Sequence, residues 1–379
     1  MQSSEVPDSN QTGNKKRESE IQFQPSSIGE MRARLLAWYE LHRRDLPWRR
    51  TRDPYAIWVS EIMLQQTRVA AVLGRYEAFL RNFPTVESLA HAAEADVLTL
   101  WSGLGYYRRA RMLHKAAKTV AFDYKGVMPG VAAELRALPG VGAYTSAAIA
   151  SIAYGEPVAV VDGNVERVVQ RLAGWGSDAR VGQGELIRRT EKLANKLLDS
   201  NRPGDFNQAM MELGATVCLP RTPTCLICPL RRQCHTRGEH PTPARARMRS
   251  QVAAYALSIR NCPSGYNGPP VREVLLHQRS QDQTVMPGMW ELPPLRDPEI
   301  SGPLVQMALR HAIMQVNYYV RIRSVDEADL ERLTVASESA RWFKLYEVEN
   351  LPLTGLARKV FMRSGLAELA PLPPVLDQA

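Results

Sequence analysis

Long apolar runs are absent from this chain, and cysteines are few. No stretch of 18 apolar residues occurs among its 379 residues, which excludes a membrane-spanning helix. The first 24 residues are polar and lack an apolar core, so we expect a disordered tail and no secretory signal peptide. Apolar residues make up 45% of the chain and charged residues 23%, a globular composition that excludes wholesale disorder. A chain of this length predicts two domains.

Positive charge is concentrated in the first two thirds of the chain. Lys and Arg total 48 against 39 Asp and Glu, a net charge of +9. Residues 251–379 hold 13 basic and 14 acidic residues, so the whole excess lies before them. This distribution favours a polyanionic partner, nucleic acid ahead of an acidic membrane surface. Ordinary solubility charge explains it equally well, and charge alone does not decide.

Four of the five cysteines fall within 17 residues in the pattern C-x6-C-x2-C-x5-C: Cys218, Cys225, Cys228 and Cys234. A secreted disulfide scaffold would spread its cysteines along the chain. Thiolates this close are typical of a metal centre, either structural zinc or an iron–sulfur cluster. Structural zinc usually brings two C-x2-C pairs and this run has one, so we predict one [4Fe-4S] cluster. A disulfide pair is the remaining alternative.

The spacing of apolar residues changes near residue 240. Apolar residues recur at helical spacing from Ile28 to about Leu230, whereas alternating apolar residues follow a polar, Pro- and Arg-rich connector. We therefore predict an all-α domain followed by a smaller α+β domain. The predicted ranges are 1–27 for the tail, 28–238 for the helical domain, 239–250 for the linker, 251–369 for the second domain and 370–379 for a final tail.

Predicted elements of the second domain are short. Strands are expected at Val252–Arg260, Arg272–Arg279, Val316–Val325 and Ala340–Leu345, with a turn-rich segment at Asn261–Pro270 and a closing helix at Gly355–Arg363.

Two helices joined by a glycine turn form a helix-hairpin-helix pattern. Helices are predicted at Ala133–Leu138 and Ala143–Tyr154, on either side of Pro139-Gly140-Val141-Gly142. The glycines allow close approach of a partner, and the free amides that begin the second helix suit a DNA phosphate. A plain αα-hairpin is the structural alternative.

Two carboxyl groups stand in opposite environments. Glu61 lies on a helix among apolar neighbours, where burial raises a carboxyl pKa unless the group pairs with an arginine such as Arg49 or Arg68. Asp162 precedes a predicted helix at Val165–Leu172, whose amides stabilise an ionised carboxylate; the structural alternative is a helix cap. Such a pair suits an acid and a stabiliser acting on a glycosidic bond.

Together these motifs resemble the helix-hairpin-helix DNA glycosylases, and within them the adenine DNA glycosylases of the MutY type. The resemblance extends from Ile28 to Cys234 and continues more weakly beyond. The motifs that carry it, besides the hairpin and the cysteines, are Arg44-Asp45-Leu46-Pro47-Trp48-Arg49, Ser60-Glu61-Ile62-Met63-Leu64-Gln65-Gln66-Thr67, Gly103-Leu104-Gly105-Tyr106-Tyr107, Val161-Asp162-Gly163-Asn164-Val165 and Phe206-Asn207-Gln208.

This resemblance implies base flipping and cleavage of the N-glycosidic bond of adenine. Glu61 would protonate the leaving adenine at N7, and Asp162 would stabilise the oxocarbenium-like sugar. Related enzymes similar to endonuclease III carry a Lys in the second hairpin helix that forms a Schiff base; Tyr144 stands there in this chain, which implies a monofunctional enzyme. The further residues implied are Asn164 in the catalytic loop; Arg44, Trp48, Arg49 and Gln208 around the base; and Gln65, Gln66, Thr67, Tyr106, Leu138, Gly140, Val141 and Gly142 at the DNA.

In the second domain the resemblance weakens. Pro287-Gly288-Met289-Trp290-Glu291-Leu292-Pro293 resembles a segment of Nudix-like domains, which in this family check the opposite strand for 8-oxoguanine with a Phe-Ser-His loop. Ile313-Met314-Gln315 stands in place of that loop, and Gln315 or Asn317 is expected to supply the lost polar contact.

The prediction is therefore a monofunctional adenine DNA glycosylase of base excision repair, acting on adenine opposite 8-oxoguanine or guanine. Its expected partner is duplex DNA with an adenine mispair and not a membrane. We expect a monomer that is cytoplasmic and nucleoid-associated if the source is bacterial. The alternatives are a mismatch thymine or uracil glycosylase and a catalytically silent DNA-binding module, although retention of both Glu61 and Asp162 argues against the latter.

Overall fold

The computed structural model describes residues 23–175, 182–238, 247–264, 268–313, 315–335, 337 and 339–366. A helical region comes first and a sheet-rich region second. The helices of the first region are α1 Pro25–His42, α2 Pro54–Leu64, α3 Val69–Asn82, α4 Val86–His91, α5 Glu94–Leu100, α6 Arg108–Asp123, α7 Ala132–Leu135, α8 Ala143–Ala153, α9 Gly163–Ala173, α10 Gln183–Leu197 and α11 Pro203–Thr216.

Helix α2 contributes most of its side chains to the first of two helical cores. Pro54 occupies its first turn, and the side chain of Asp53 caps it by accepting bonds from the amides of Tyr55 and Ala56. Nearly every side chain of α2 is buried, because the helix is apolar on all faces and packs against α3, α6 and α8. A carboxyl at Glu61 is therefore carried into the core. The second core is formed mainly by α1, α9, α10 and α11.

Two predictions for the helical region need correction. Helix α1 begins at Pro25, and the buried Phe23 packs on His235 with ring centroids 5.8 Å apart, so the predicted tail of residues 1–27 extends too far. Helix α7 covers Ala132–Leu135, which is shorter than predicted. Pro139 disfavours helical backbone at Leu138, the residue before it, and the chain turns early.

The second region contains two sheets. Its strands are β1 Arg249–Leu257, β2 Ile259–Ser264, β3 Gly268–Gln278, β4 Trp290–Glu291, β5 Met307–Ile313, β6 Val316–Ser324 and β7 Ala340–Lys344. One sheet has the order β1-β6-β5, with β1 parallel to β6 and β5 antiparallel to it. The other has the order β2-β3-β4, with β7 also paired to β3. The helices α12 Leu330–Leu333 and α13 Gly355–Ser364 complete the region.

Strand boundaries depart from the predicted ones. The predicted strand Val252–Arg260 breaks at Ser258, so that β1 and β2 enter different sheets, and β1 begins inside the predicted linker. The segment predicted as turn-rich, Asn261–Pro270, is largely strand. Strand β5 was not predicted because charged and small side chains such as Arg310 and Ala312 occupy its exposed face. The predicted closing helix is confirmed as α13.

The sheet-rich region packs on the helical region. Met289 is fully buried in the first helical core, and Nη2 of Arg111 donates to the carbonyl of Pro287 at 2.6 Å. The hydroxyl of Tyr107 donates to the carbonyl of Leu353 at 3.2 Å. None of the helices in the described ranges combines the length and apolarity needed to cross a bilayer.

Candidate active site

One pocket of the helical region gathers all eight residues predicted for catalysis and base binding, together with Thr67 from the predicted DNA contacts. The predicted residues that line it are Arg44, Trp48, Arg49, Glu61, Thr67, Tyr144, Asp162, Asn164 and Gln208. They come from α2, α8, α11, the start of α9 with its cap, the turn at Pro47–Arg49 and the loops that follow α1 and α2. The pocket therefore unites segments separated by more than 150 residues in the sequence.

Glu61 is buried at the pocket wall and is 5% exposed. Its Oε2 accepts a hydrogen bond from the Tyr144 hydroxyl at 2.5 Å. Burial raises the pKa of Glu61 to about 7, and the charge of Asp162 acts in the same direction, while Tyr144 and Arg49 oppose it. A carboxyl with this pKa still holds a proton near neutral pH, as a general acid requires.

Asp162 caps α9. Its Oδ1 accepts from the amide of Val165 at 2.7 Å, and its Oδ2 accepts from Nδ2 of Asn164 at 2.9 Å. Asn164 is oriented in turn by Nη2 of Arg167, which donates to its Oδ1 at 2.9 Å. Asp162 therefore caps the helix and also lines the pocket. The arrangement holds a carboxylate at fixed orientation in the same pocket as Glu61.

Glu212 was missed by the sequence analysis, although it organises the two arginines of the pocket. It is fully buried on α11 and accepts from Nη2 of Arg44 and from Nη2 of Arg49, both at 2.7 Å. The two guanidinium groups hold the pKa of Glu212 at about 2 despite burial, which alone would raise it. Arg49 thus forms its ion pair with Glu212 and not with Glu61. Glu212 lies one helical turn after Gln208, on the same face of α11, and this spacing could have indicated that Glu212 also faces the pocket.

Trp48 and Gln208 both line the pocket. Trp48 is buried and packs edge-on against Tyr76, with centroids 5.4 Å apart. Oε1 of Gln208 accepts from the Tyr39 hydroxyl at 3.2 Å, which leaves the amide NH₂ as a donor for a bound base.

Four predicted DNA contacts lie on two loops, with Gln65, Gln66 and Thr67 on one and Tyr106 on the other. Gln66 follows α2 and Tyr106 precedes α6; both side chains are exposed, and both residues have left-handed backbone, with φ of 54° and 48°. Nε2 of Gln65 donates to the Thr145 hydroxyl at 3.1 Å, which ties the loop after α2 to α8.

The glycine turn between α7 and α8 forms a helical hairpin, as predicted. Leu138 and Val141 are buried and anchor the turn, whereas Gly140 and Gly142 are exposed. Gly140 has φ of 76°, and a Cβ there would lie 2.6 Å from Cβ of Met112. Gly142 directly precedes α8, whose first amides point out of the helix.

The four clustered cysteines line a second pocket, and none of them forms a disulfide. Arg171 holds their loop: its Nη1 donates to Sγ of Cys218 at 3.3 Å and to the carbonyl of Leu219 at 2.7 Å. Burial, aided by the other three thiols, raises the pKa of Cys228 to about 11. Among the described residues, no three His, Cys, Asp or Glu side chains have the spacing of a single-ion site.

The segment predicted to recognise the lesion lies at the tip of the β5–β6 hairpin. Ile313 pairs with Val316 across the turn. Gln315 is exposed, and its carbonyl accepts from the amide of Arg249 at 2.9 Å. Asn317 is buried, so of the two polar candidates only Gln315 presents its side chain to a partner. Met314 lies outside the described residues.

Comparison with known proteins assigns this fold and pocket to a class. Residues 59–196 match the model of the HhH-GPD superfamily of base excision DNA repair proteins. A solved thermostable thymine-DNA glycosylase superimposes with a TM-score of 0.51 at 31% identity, covering 55% of this chain and 96% of that one. The helical region is therefore an HhH-GPD glycosylase fold.

The family within that class follows from two mammalian relatives. The adenine DNA glycosylase of Mus musculus is 34% identical over 407 residues, covering 89% of this chain and 78% of the mouse protein. The adenine DNA glycosylase of Homo sapiens is 47% identical over 221 residues, covering 56% of this chain and 40% of the human protein. The chain belongs to the adenine DNA glycosylase family.

Proposed function

We propose that the protein is a monofunctional glycosylase that removes adenine mispaired with 8-oxoguanine or guanine in DNA. The observation that carries the proposal is the pairing of two unlike carboxyls in one pocket. The pKa of Glu61 is raised to about 7, so a substantial fraction of this carboxyl keeps its proton near neutral pH, and Asp162 is held at a helix N-terminus. Two carboxyls in such different environments divide the roles of acid and stabiliser between them.

The reaction assigned to these residues is hydrolysis. Glu61 gives its proton to N7 of the flipped adenine, and the bond between C1′ and N9 breaks with its electron pair remaining on the base. The Asp162 carboxylate stabilises the positive charge that develops on the sugar. Water then adds at C1′ and gives a proton to the Glu61 carboxylate, which restores the acid and leaves free adenine and an abasic site. Tyr144 carries a phenol where strand-nicking relatives carry an amine, so no Schiff base is expected.

Residues around the pocket supply base recognition. Gln208 and Trp48 both line the pocket, and we assign them to the edge and the plane of the bound purine. The Arg44–Glu212–Arg49 cluster forms a charged wall whose donors and acceptors are fixed before the base arrives. A preformed wall of this kind discriminates bases by the groups it would leave unpaired.

The cysteine pocket fits a [4Fe-4S] cluster. Four thiols face one cavity, and the buried guanidinium of Arg171 offsets the charge of the thiolates that such a cluster needs. When bound, the cluster would cross-link the loop between Cys218 and Cys234. Arg167 connects this loop to the active site, since its Nε donates to the Cys218 carbonyl at 2.8 Å while its Nη2 holds Asn164. We assign the cluster a structural role.

Recognition of the opposite base is assigned to the β5–β6 hairpin of the second region. Gln315 is exposed at the tip and has both a donor and an acceptor. Gln315→Ala should reduce the preference for 8-oxoguanine over guanine, whereas Gln306→Ala, at the other end of β5, should not. Equal preference in wild type and Gln315→Ala would remove this assignment and leave adenine cleavage intact.

A thymine mismatch glycosylase is the second candidate, since the solved structure described above carries that name. That structure covers 55% of this chain, whereas the mouse adenine relative covers 89%, including the sheet-rich region. An adenine glycosylase is therefore the preferred candidate.

Single-turnover cleavage of labelled duplexes that contain A:8-oxoguanine, A:G or T:G separates the candidates. We expect adenine release from the first two and an abasic site that breaks only with added alkali. Asp162→Asn should abolish cleavage, and Asp123→Asn, a surface change on α6, should leave it unchanged. Cleavage of T:G alone would replace the proposal with the second candidate.

A further inference from the structure

Arg109 lies at the centre of a hydrogen-bond network that no catalytic role explains. It is the second residue of α6, and its guanidinium reaches across to the end of α2. Its Nη1 donates to the carbonyls of Ile62 at 2.7 Å and Met63 at 3.1 Å, and also to that of Gln65. Its Nη2 donates to the Thr67 hydroxyl and to the carbonyls of Leu104 and Gly105.

These acceptors belong to two separate loops and one helix end. Ile62 and Met63 are in the last turn of α2, where carbonyls have no partner within the helix. Gln65 and Thr67 flank Gln66, and Leu104 and Gly105 precede Tyr106. A positive group is favourable at a helix C-terminus, so Arg109 also caps α2 electrostatically. One side chain thus fixes both DNA-facing loops to the helix that carries Glu61.

The two loops are held in an unfavourable backbone conformation. Gln66 and Tyr106 are two of only four non-glycine residues with positive φ among the described residues. Such conformations are unfavourable for non-glycine residues and persist only when surrounding contacts impose them. Both side chains are exposed. Arg109 supplies the constraint for both.

The network requires the shape and the several donors of a guanidinium group, and a positive charge alone would not satisfy it. The four N–H groups of Nη1 and Nη2 face six acceptors, and the same group lies over the rings of Trp101 at 5.6 Å and Tyr106 at 5.4 Å. No acidic side chain in the described ranges pairs with Arg109. Its partners are carbonyls, a hydroxyl and aromatic faces. A lysine ammonium, with three donors at one point, cannot span them.

We propose that Arg109 is a positioning residue for base extrusion. It joins the Gln66 and Tyr106 loops into one rigid wedge and fixes that wedge to α2, so that opening of the DNA stack delivers the base to Glu61. This inference rests on the proposed glycosylase function, since it gives the two loops a role in DNA opening. Its consequence is specific: loss of Arg109 impairs extrusion more than the chemistry that follows.

The test compares Arg109→Lys with Arg34→Lys, an exposed arginine on α1 that pairs with Glu30. The duplex carries a non-cleavable adenine analogue opposite 8-oxoguanine, with 2-aminopurine beside it as a fluorescent reporter of unstacking. We expect the fluorescence rise to be largely lost in Arg109→Lys and retained in Arg34→Lys. Single-turnover cleavage of the cleavable duplex should fall about 10–100-fold in Arg109→Lys, the loss expected for misplacement of about 1 Å.

A second substrate distinguishes a defect in base extrusion from a general loss of activity. Adenine opposite an abasic analogue leaves the stack at lower cost, so the defect of Arg109→Lys should shrink on this duplex. Guanidinium added to Arg109→Ala should restore part of the fluorescence rise. If Arg109→Lys does not fold, Thr67→Val, which removes one partner of Nη2, should show a smaller loss of the same signal.

Three outcomes would overturn the inference: a full fluorescence rise in Arg109→Lys, an equal cleavage defect on both duplexes, or an unchanged signal in Thr67→Val. Failure of the proposed function would look different. In that case the wild type would release no adenine, while the non-cleavable duplex would still report whether Arg109 controls unstacking.

Discussion

The hydroxyl of Tyr144 lies 2.5 Å from Oε2 of Glu61, which connects the second helix of the hairpin to the helix that carries the proposed acid. Burial raises the pKa of Glu61 to about 7, and this hydrogen bond counteracts that rise by stabilising the ionised form. The hairpin that is expected to hold DNA therefore also adjusts the acid. Loosening of α8 would change the proton affinity of Glu61 as well as DNA contact.

Tyr144→Phe removes that hydrogen bond and should move the pH dependence of cleavage. The acid must be protonated, so the wild-type rate should fall as pH rises through about 7. Without the phenol the pKa of Glu61 should rise further, and the falling limb should move to higher pH. Single-turnover rates between pH 5.5 and 9 measure this. An unchanged midpoint would mean that Tyr144 does not control the proton on Glu61.

Glu61→Gln should stabilise the protein while it abolishes cleavage. A carboxyl whose pKa rises from 4.5 unfolded to about 7 folded costs stability that grows with pH across this window and levels off above it. The full cost is about 3 kcal/mol, because each unit of pKa corresponds to about 1.4 kcal/mol. Glutamine carries no charge and keeps a partner for Tyr144.

Denaturant unfolding of wild type and Glu61→Gln at pH 4.5 and pH 8 checks this. The stability difference between the two proteins should be small at the lower pH and largest at the higher. The exposed Glu40→Gln serves as the matched control. A difference that does not vary with pH would contradict the protonated state assigned to Glu61.

Glu212→Gln should disrupt the charged wall of the pocket. Glu212 is fully buried, and its loss leaves the guanidinium groups of Arg44 and Arg49 without their carboxylate. Removal of one partner from a buried pair costs about 3 kcal/mol. The folded pKa of about 2 lies below the unfolded value, so this contribution is present above pH 4.5 and is lost as pH falls toward 2.

The measurements are thermal unfolding and cleavage of A:G duplex. Both should be impaired in Glu212→Gln, and Glu40→Gln, which loses an exposed pair with Arg202, should change stability by less than about 1 kcal/mol. Normal cleavage in a destabilised Glu212→Gln would confine the residue to a structural role.

The sequence could predict a site residue when the pattern that reveals it lies within a few residues of it along the chain. Glu61 was recognisable because its apolar neighbours lie within one helical turn, and Asp162 because a cap is local to its own helix. Glu212 and Arg109 act through contacts with residues 44–49 and 62–67, far away in sequence or on another helix. No local pattern encodes such contacts, and only the folded chain brings them together.

In the fold, too, features set by local sequence could be predicted and features set by distant contacts could not. The strongly periodic helices were predictable, but their ends were set by single residues such as Pro25 and Pro139. In the second region, β1 and β2 read as one strand because apolar alternation runs through Ser258. Their separation into two sheets depends on pairing with β6 and β3, which are distant in sequence.

Gly140→Ala should weaken DNA binding while the fold is kept. Gly140 has φ of 76°, which a side chain disfavours, and an added Cβ would lie 2.6 Å from Cβ of Met112. The turn must therefore move, and the exposed amides that begin α8 would shift with it. Because these amides are expected to hold a phosphate, affinity for duplex DNA should fall about tenfold, by analogy with the loss of one charge-assisted hydrogen bond. Gly74→Ala, on α3 with open space around it, is the matched control and should bind normally. Fluorescence anisotropy with a labelled duplex at several salt concentrations measures both variants. Equal affinity of Gly140→Ala and wild type would show that the hairpin is only a structural αα-turn.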